Sequence, residues 1–341
     1  MRMSRVVMSK ATKQASRKDV AKAAGVSLTT VTHALNSKPG TRVNSETRDR
    51  IKRIADELNY RPSFVGRALV TGKSFNVGLL QPGYEAMFRN FYQHMAYGLV
   101  ESMGRDDYNL LLVFRDEQKN YLRTISQGRV DGMIVLQSDF GDSHIENVIA
   151  TKIPTIVLNR TLNLPESDFV GCVASDHALL IEEVFKDFLR KGCKNIAAFN
   201  DQRSCDPNFR LFEAFTRMSE SLIKDGITAT TVVPSKERFA VQINNLFESG
   251  QRWDGIFIDG EEFLLPLVKS AAKFGLKPGN DFEIILSSVE KGLNPEVFDF
   301  PVTIYLQQPE VMGVEAWTML NAFINREKTA GFVKVPYRKV I

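Results

Sequence analysis

An internal repeat constrains the fold of this chain more than any other feature. The stretch GRVDGMIV at 128–135 returns as QRWDGIFI at 251–258, 123 positions further along the 341 residues. In each copy an arginine, a bulky apolar residue and an Asp-Gly pair lead into a short apolar run, the pattern of a buried strand. A duplicated α/β unit with a cleft between the copies explains this spacing. We therefore expect a body of two similar lobes that binds a ligand between them.

Short apolar runs from residue 75 onwards predict the strands of these lobes. Amphipathic stretches such as 91–103 and 176–190 separate the runs. The predicted strands are 76–80, 108–114, 132–136, 154–158, 170–173, 195–199, 230–233, 255–258 and 282–286. Alternation of strands and helices at this spacing is typical of parallel sheets covered by helices on both faces.

Charge divides the chain into two parts. Residues 1–73 contain 16 Lys and Arg against 5 Asp and Glu, a balance of +11, whereas the remainder has a balance of −7. A basic head on a mildly acidic body is typical of a nucleic-acid-binding module joined to another domain. Charge alone is also compatible with a basic face that is exposed to solvent and binds nothing. The residue pattern of the head must therefore distinguish this alternative from a nucleic-acid-binding module.

Composition excludes several classes of protein. The length predicts two or three domains, and the apolar and charged fractions, 43% and 25%, are those of globular proteins. No apolar run has the length of a membrane span, and the first 15 residues lack the apolar segment of a secretory signal. The chain contains three cysteines, Cys172, Cys193 and Cys205, and no CxxC motif. An odd number of cysteines without this motif is typical of a protein in a reducing compartment. We therefore expect a cytoplasmic protein that contacts no membrane and uses no metal or cofactor.

Two short helices across a glycine turn are predicted within 16–36. The first has an apolar stripe at Val20, Ala21 and Ala24, and Gly25 can adopt the positive φ that closes a helix. Ser27 is a good N-cap for the second helix, 28–35, in which we expect Val31 and Leu35 to be buried. This arrangement is typical of a helix-turn-helix.

A third helix follows, capped by Asn44 or Ser45. Its predicted inner stripe is Ile51, Ile54, Ala55 and Leu58, and its outer face carries Arg48, Arg50, Lys52 and Arg53. A generic three-helix bundle is the alternative interpretation. The helix-turn-helix is favoured because the second helix exposes Leu28, Thr29, Thr32 and His33, short or hydrogen-bonding side chains that suit base edges better than a plain helix surface.

The head resembles the DNA-binding head of the LacI/GalR family of bacterial transcriptional regulators. The similarity rests on DVAKAAGVSLTTVTHALN at 19–36, on V-N-x-x-T-R at 43–48, on LNYRPSFVGRAL at 58–69, and on TGKS at 71–74. It implies that the second helix enters the major groove. Leu28, Thr29 and His33 would then face bases, whereas Ser27, Thr32 and Asn36 would lie nearer the phosphates. His33 stands where many members have Arg, so a bidentate contact with guanine is not expected.

The same resemblance identifies 62–74 as a hinge segment and linker. In the family this segment forms a short helix on operator DNA, pairs with its copy across a dimer, and inserts a leucine into the minor groove. Leu69 matches that leucine, and Arg67 is the neighbouring basic residue. Ser63 and Gly66 stand where Asn and Ala are common. The alternative for Leu69 is packing against the body.

The body is similar to type I periplasmic sugar-binding proteins, the form of the family's effector domain. The stretches 171–176 with 191–197, and 303–309 with 312–313, match the usual crossovers between lobes, which we expect near 172, 304 and 330. The predicted division is a disordered basic tail at 1–15, an all-α helix-turn-helix head at 16–61, the hinge at 62–74, and an α/β effector-binding and dimerisation domain at 75–341. Lobe 1 would comprise about 75–172 and 305–329, and lobe 2 about 173–304 and 330–341.

Residues of the effector cleft should follow the carboxyl ends of the parallel strands. Aromatic rings there stack on sugars or bases, and arginine and aspartate bind hydroxyl groups or carboxylates. Packing in the core is an equal alternative for the aromatic candidates Phe91, Tyr92 and Phe239. A surface ion pair is an equal alternative for Arg160. The candidates are Phe91, Tyr92, Ser138, Asp139, Arg160, Arg210, Phe239, Asp259 and Ser288.

The sequence thus predicts a homodimeric repressor of transcription that binds a pseudo-palindromic operator in double-stranded DNA. A sugar or sugar derivative in the cleft would modulate operator affinity. The alternatives are a regulator of the same architecture that responds to a purine or nucleoside or needs a co-repressor, and a sugar-binding transport component. An enzyme is not expected, because there is no G-x-S-x-G elbow and the four histidines, His33, His94, His144 and His177, form no HExxH pair.

Overall fold

The computed structural model describes residues 15–35, 43–61, 64–83, 89–136, 143–160, 167–200, 206–234, 238–327 and 331–340. The chain forms two compact units, one ending at Lys73 and the other beginning at Ser74. The tail expected to be disordered lies outside the described residues up to position 14.

The first unit contains three packed helices and a fourth short one. They are α1 (Arg17–Ala24), α2 (Leu28–Leu35), α3 (Ser45–Glu57) and α4 (Phe64–Thr71). The expected stripe of α1 is buried, but α2 buries Val31 and Ala34, whereas Leu35 is only partly buried. Likewise Ile51 and Ala55 form the inner face of α3, and Leu58 is 38% exposed. Leu35 and Ile54 pack against this core as expected, although they are only partly buried. Our assignment of Leu58 to the inner stripe was wrong, because Leu58 lies at the exposed C-cap of α3.

Local signals at the helix ends follow the sequence closely. Gly25 has φ +66° and closes α1 in the left-handed region. The Ser27 hydroxyl accepts a hydrogen bond from the Thr30 amide at 3.0 Å, and the Asn44 side chain accepts one from the Thr47 amide at 2.8 Å. These caps fix the start of α2 and α3, and so fix which side chains α2 exposes.

The second unit contains two six-stranded sheets of matching order. The first sheet has the order β11-β5-β4-β3-β1-β2 and is parallel throughout, and the second has the order β12-β10-β9-β8-β6-β7. Only β12 runs antiparallel to its neighbour among the described strands. The strands are β1 (Asn76–Gln81), β2 (Asn109–Phe114), β3 (Gly132–Leu136), β4 (Thr155–Leu158), β5 (Val170–Ser175), β6 (Asn195–Phe199), β7 (Thr228–Val232), β8 (Gly255–Asp259), β9 (Glu283–Ser288), β10 (Thr303–Leu306), β11 (Phe332–Val335) and β12 (Arg338–Val340).

Helices cover both faces of each sheet. The first sheet packs against α5 and α12 on one face and α6 and α7 on the other. The second packs against α8 and α9 on one face and α10 and α11 on the other. These helices are α5 (Asn90–Gly104), α6 (Asn120–Ser126), α7 (His144–Ala150), α8 (His177–Arg190), α9 (Asp206–Leu222), α10 (Phe239–Glu248), α11 (Leu264–Lys273) and α12 (Pro309–Ile324). We call each sheet with its helices a lobe. The predicted two-lobed α/β body is confirmed.

The repeated Asp-Gly motif has the same structural role in both lobes. The Asp131 carboxylate accepts hydrogen bonds from the amides of Ser74 and Phe75, at 2.7 and 2.8 Å, where the chain enters β1. The Asp254 carboxylate accepts the equivalent pair from Lys194 and Asn195, both at 2.8 Å, at the start of β6. Each aspartate thus joins the first strand of its lobe to the third, which explains why the motif recurs.

The chain crosses between the lobes three times, slightly later than expected. The crossings lie between β5 and α8, between β10 and α12, and between β11 and β12. The assignment of 330–341 to lobe 2 is wrong for 332–335, because β11 pairs with β5 in the first sheet. A terminal strand of four residues is too short for its pattern of apolar residues to show which of the two sheets it joins.

Within the described residues, no helix combines the length and the apolar character that crossing a membrane requires.

Candidate functional site

The exposed face of α2 carries the expected base-reading side chains. Leu28 is 43% exposed, and Thr29 and His33 are also exposed. Thr32 is half-buried, because its hydroxyl donates to the Leu28 carbonyl at 2.9 Å and accepts from Arg17 at 3.1 Å. Thr32 therefore positions α1 against α2 in the unbound head.

Other predicted contacts with DNA are only partly visible. The side chain of Ser27 is exposed but serves as the cap of α2. Asn36 and Ser63 lie outside the described residues. Basic side chains on the outer face of α3 are exposed at Arg50, Lys52 and Arg53. The head thus presents a neutral, hydrogen-bonding helix beside a basic one.

Helix α4 coincides with the predicted hinge helix. Its Leu69 and Val70 are 82% and 83% exposed, and Arg67 is exposed as well. Exposure on this scale is unusual for large apolar side chains and marks them as candidates for a contact with another molecule.

A hydrogen-bonded polar cluster lies at the carboxyl ends of the second sheet. Asp259, the last residue of β8, accepts hydrogen bonds from the Ser287 hydroxyl at 2.6 Å and from the Asn200 amide at 3.1 Å. Burial raises the pKa of the Asp259 carboxyl to about 6, although both hydrogen bonds favour the ionised form. Nearby, the Ser288 hydroxyl donates to Glu261 at 2.6 Å. This cluster offers several acceptor oxygens to a ligand that carries hydroxyl groups.

Two buried acceptor oxygens lie at equivalent strand ends of the two lobes. Gln81 ends β1 and is 4% exposed; Asn200 follows β6 and is 2% exposed. The Gln81 Oε1 and the Asn200 Oδ1 have no hydrogen-bond partner in the described parts of the chain. Buried polar atoms are nearly always paired, so these two are the strongest indication of where a ligand donates hydrogen bonds.

The candidate cleft residues of the first lobe give weaker support for a ligand site. Phe91 and Tyr92 lie in the first turn of α5, contact each other edge to face at 5.3 Å, and pack partly against the core. Arg160 is half-buried two residues after β4. Ser138 and Asp139 lie outside the described residues.

Two candidates of the second lobe are not assembled with the cleft cluster. Phe239 is 4% exposed and its ring packs against Phe199 and Phe263, so it belongs to the core. Arg210 pairs with Glu213 at 3.0 Å and lines a cavity between α8 and α9. The core position next to it is taken by Leu211, which turns Arg210 away from the sheet.

The lobes touch at one rim of the cleft. Asn90 at the start of α5 donates to Glu290, which follows β9. Lys291 pairs with Glu310 at the start of α12, and Glu310 also contacts His94 Nδ1 at 3.1 Å. These contacts join the carboxyl end of the second sheet to the helices of the first lobe.

One hydroxyl connects all three crossovers. Tyr337, between β11 and β12, accepts a hydrogen bond from Gln307 at 2.8 Å, and its oxygen lies 3.2 Å from His177 Nδ1. Burial lowers the pKa of the His177 imidazole to about 4, so this ring is neutral at pH 7.

Sequence reasoning missed several of these residues. Gln81, Asn200 and Gln307 each end or directly follow a strand, so the rule of carboxyl strand ends could have found them had the strand limits been known. Nothing in the sequence pattern singled out Tyr337, because its importance depends on the meeting of three distant segments.

Comparison with known proteins identifies the chain's relatives. Residues 17–63 match the model of bacterial regulatory proteins of the lacI family, and residues 75–208 match that of periplasmic binding proteins and the sugar binding domain of the LacI family. The transcriptional regulator MalR of Streptococcus pneumoniae is 32% identical over 53% of this chain and 55% of its own length, so this match spans about half of the relative. Catabolite control protein A of Priestia megaterium is 22% identical over 94% of this chain and 96% of its own.

The fold is also that of a solved structure described as the lac repressor dimer bound to operator and the anti-inducer ONPF. The TM-score is 0.74 at 17% identity, covering 96% of this chain and 98% of the other. The two family models together match more than half of the residues, one on each unit. On these matches, the chain belongs to the LacI/GalR family of bacterial regulatory proteins.

Proposed function

We propose that this protein is a transcriptional repressor whose affinity for operator DNA changes when a small molecule binds between its lobes. The observation that carries the DNA-binding half is the exposed face of α2, where Leu28, Thr29 and His33 project from a fixed helix. A helix of this kind fits the major groove, where such side chains hydrogen-bond to base edges or contact the thymine methyl group. The basic outer face of α3 supplies contacts with phosphates.

The first experiment tests DNA binding directly. The full chain is used to select duplexes from a random pool, and a pseudo-palindromic site should be enriched. Thr29→Glu should abolish binding of that site, because it places a negative charge on the groove-facing helix. Thr228→Glu, the same change at an exposed position of β7, is the matched control and should bind normally. Failure to enrich any sequence would refute the proposal.

We infer that the effector is a hydroxyl-rich molecule, a sugar or sugar derivative. The two buried, unpartnered oxygens of Gln81 and Asn200 support this, since each needs a donor. The cluster around Asp259 adds acceptors on the same side of the second lobe. A purine or nucleoside is the second candidate, supported by the Phe91 and Tyr92 rings at the start of α5.

A thermal-shift screen of sugars, nucleosides and purines separates these candidates. A ligand of the cleft should raise the Tm of the wild type, and Gln81→Ala or Asn200→Ala should reduce that rise. Asn280→Ala, an exposed amide between α11 and β9, is the control. A hit whose effect survives both cleft substitutions binds elsewhere, and a hit that leaves operator affinity unchanged is not an effector.

Dimerisation completes the proposal. Large apolar side chains are exposed on α5 and on the edge strand β2, at Tyr97, Val100, Leu111, Leu112 and Phe114. Exposed apolar side chains in this number are typical of an interface, and a second copy of the chain matches a palindromic operator. Light scattering of the wild type and of Tyr97→Glu tests the dimer.

We further propose that the cleft binds its ligand without transforming it, and that the protein works in the cytoplasm. The head, hinge and body would correspond to 16–61, 62–74 and 75–341.

A further inference from the structure

The side chains that α2 exposes lie on one arc of the helix. Successive residues of an α-helix are separated by about 100° around its axis. With Leu28 as the origin, the exposed Thr29 and His33 lie at about 100° and 140°. The buried Val31 and Ala34 lie at about 300° and 240°, on the opposite side. The arc from about 0° to 140° is therefore the surface of α2 that faces away from the core of the head.

Thr32 lies within this arc, yet it is half-buried. At about 40° it stands between Leu28 and Thr29, both of which are exposed. A guanidinium group from α1 covers it, because Arg17 Nη1 donates a hydrogen bond to the Thr32 hydroxyl at 3.1 Å. The same hydroxyl donates to the Leu28 carbonyl at 2.9 Å, which fixes its orientation. The Arg17 guanidinium is thus held on the exposed arc of the helix that we propose to enter the major groove.

The positive charge of Arg17 is not balanced within the described residues. Its guanidinium binds the Thr32 hydroxyl and pairs with no described carboxylate. Arg17 is also the first residue of α1, where the partial positive charge of a helix N-terminus disfavours a cation. Asp19, in the same turn, accepts hydrogen bonds from the amide and the hydroxyl of Ser16, at 2.8 and 2.7 Å, and so caps the helix. This position of Arg17 is unfavourable for stability unless an electron-rich partner binds there.

A guanidinium group on this surface matches one base edge in particular. It presents several N–H donors in a planar fork and accepts no hydrogen bond. In the major groove, guanine presents two acceptors, O6 and N7, whereas adenine presents one acceptor beside a donor. Thr32 occupies one N–H of Nη1, which leaves the second N–H of Nη1 and those of Nη2 for a base. The imidazole of His33, on the same arc, lacks such a fork.

We propose that Arg17 reads a guanine of each operator half-site in the major groove, and that Thr32 positions its guanidinium for this contact. This inference rests on the proposed DNA-binding function and adds a base contact that α2 by itself does not supply. A contact of Arg17 with phosphate would instead contribute equally to all sequences.

The test uses the full chain and the operator selected from the random pool of duplexes. Each guanine–cytosine pair of the half-sites is replaced in turn by adenine–thymine. One replacement should weaken binding of the wild type by about 5- to 150-fold and should have little effect on Arg17→Gln. Lys18→Gln is the matched control, because Lys18 is adjacent, exposed and without a hydrogen bond or ion pair among the described residues. This control should keep the preference of the wild type.

Three outcomes of this experiment overturn the proposal. The selected half-site contains no guanine, or Arg17→Gln keeps every base preference of the wild type. In the third, Arg17→Gln weakens all duplexes by the same factor, which assigns Arg17 to a phosphate. A purely structural link between α1 and α2 would lower the Tm of Arg17→Gln and leave its base preference unchanged, so the Tm of each variant is measured as well.

Substitutions at Thr32 test the positioning role. Thr32→Val removes the hydroxyl and keeps a similar shape, so it should reduce the preference for guanine, whereas Thr32→Ser should retain it. In the Arg17→Gln background, Thr32→Val should change this preference no further. Equal losses in the serine and valine variants, or an added loss in the double variant, would show that Thr32 does not act through Arg17. Selection of an operator by the wild type tests the repressor function itself, so its failure is distinct from a failure of these variants.

Discussion

At the scale of single residues, base reading depends most on His33. This side chain is exposed near the end of α2, and an imidazole offers one or two hydrogen-bonding atoms to a base edge. His33→Ala should weaken binding to the selected operator by about 1–3 kcal/mol and should flatten the preference at one base pair of each half-site. Quantitative binding to single-base variants of the operator measures both effects.

Arg53→Ala provides the contrasting control for that measurement. Arg53 is exposed on the basic face of α3, so a contact with phosphate should contribute equally to all sequences. Its removal should lower every affinity by a similar factor and reduce the salt dependence. An unchanged base preference in His33→Ala would exclude His33 from the groove.

Asp259 predicts a pH dependence of stability. Because burial raises the pKa of its carboxyl to about 6, folding favours the protonated form. The resulting stability is fully present below the ordinary pKa of 3.8 and is lost as the pH rises through about 6. Asp259→Asn should therefore gain stability relative to the wild type as the pH rises across this interval. The Asn200 amide can turn to present its unpartnered oxygen to the new side-chain NH₂ group. Urea unfolding of both proteins across this interval tests the sign, and parallel pH profiles would contradict it.

The face of a helix on which a given side chain lies is difficult to predict from the sequence. Successive residues of a helix are separated by about 100° around its axis, so a one-position error moves a side chain to another face. This explains why Arg210 lines the outer groove while Leu211 enters the core. By contrast, Asp259 and Ser288 lie at the ends of β8 and β9 as expected, because the carboxyl end of a parallel strand is fixed by the apolar run before it.

At the scale of elements, two glycines allow α5 and α12 to approach closely. A Cβ at Gly98 would lie 2.2 Å from the Glu310 carbonyl oxygen, and one at Gly313 would lie 2.2 Å from that of Met95. These contacts are with rigid backbone, so Gly98→Ala must force the helices apart and should destabilise the body by about 1–3 kcal/mol. Chemical denaturation measures the change.

The same helix contains a matched control. A Cβ at Gly104, the last residue of α5, would meet nothing within 4 Å. Gly104→Ala should change the free energy of unfolding by less than about 1 kcal/mol, and alanine favours the helix. Equal effects of the two substitutions would show that helix propensity, and not the close crossing, governs this packing.

At the scale of the whole molecule, the duplication was the most predictable feature. The repeated Asp-Gly motif and nine apolar runs specified two similar lobes, and the structure extends this to identical strand order. The terminal strands β11 and β12 were not foreseen, because three or four residues are too few for a period to be recognised. The cleft contacts between Lys291 and Glu310, and the three segments joined by Tyr337, are equally invisible to local patterns.

The proposed coupling between effector and operator depends on the hinge helix α4. If two copies of α4 pair on DNA, the exposed Leu69 side chain can enter the minor groove, where unstacking a base step bends the duplex and adds contacts. Leu69→Ala should then weaken operator binding and reduce the bend, yet leave the affinity for a cleft ligand in the absence of DNA unchanged. Val70→Ala removes an apolar side chain of the same exposure one position away, on a different face of α4, and should have a smaller effect. Operator and effector must alter each other's affinity by the same factor. Both affinities are therefore measured for the wild type and for the two variants. The bend is measured by the electrophoretic mobility of circularly permuted DNA fragments that contain the operator. Normal operator binding and bending by Leu69→Ala would remove α4 from the mechanism, and equal losses in both variants would assign it a general apolar contact in place of a specific wedge.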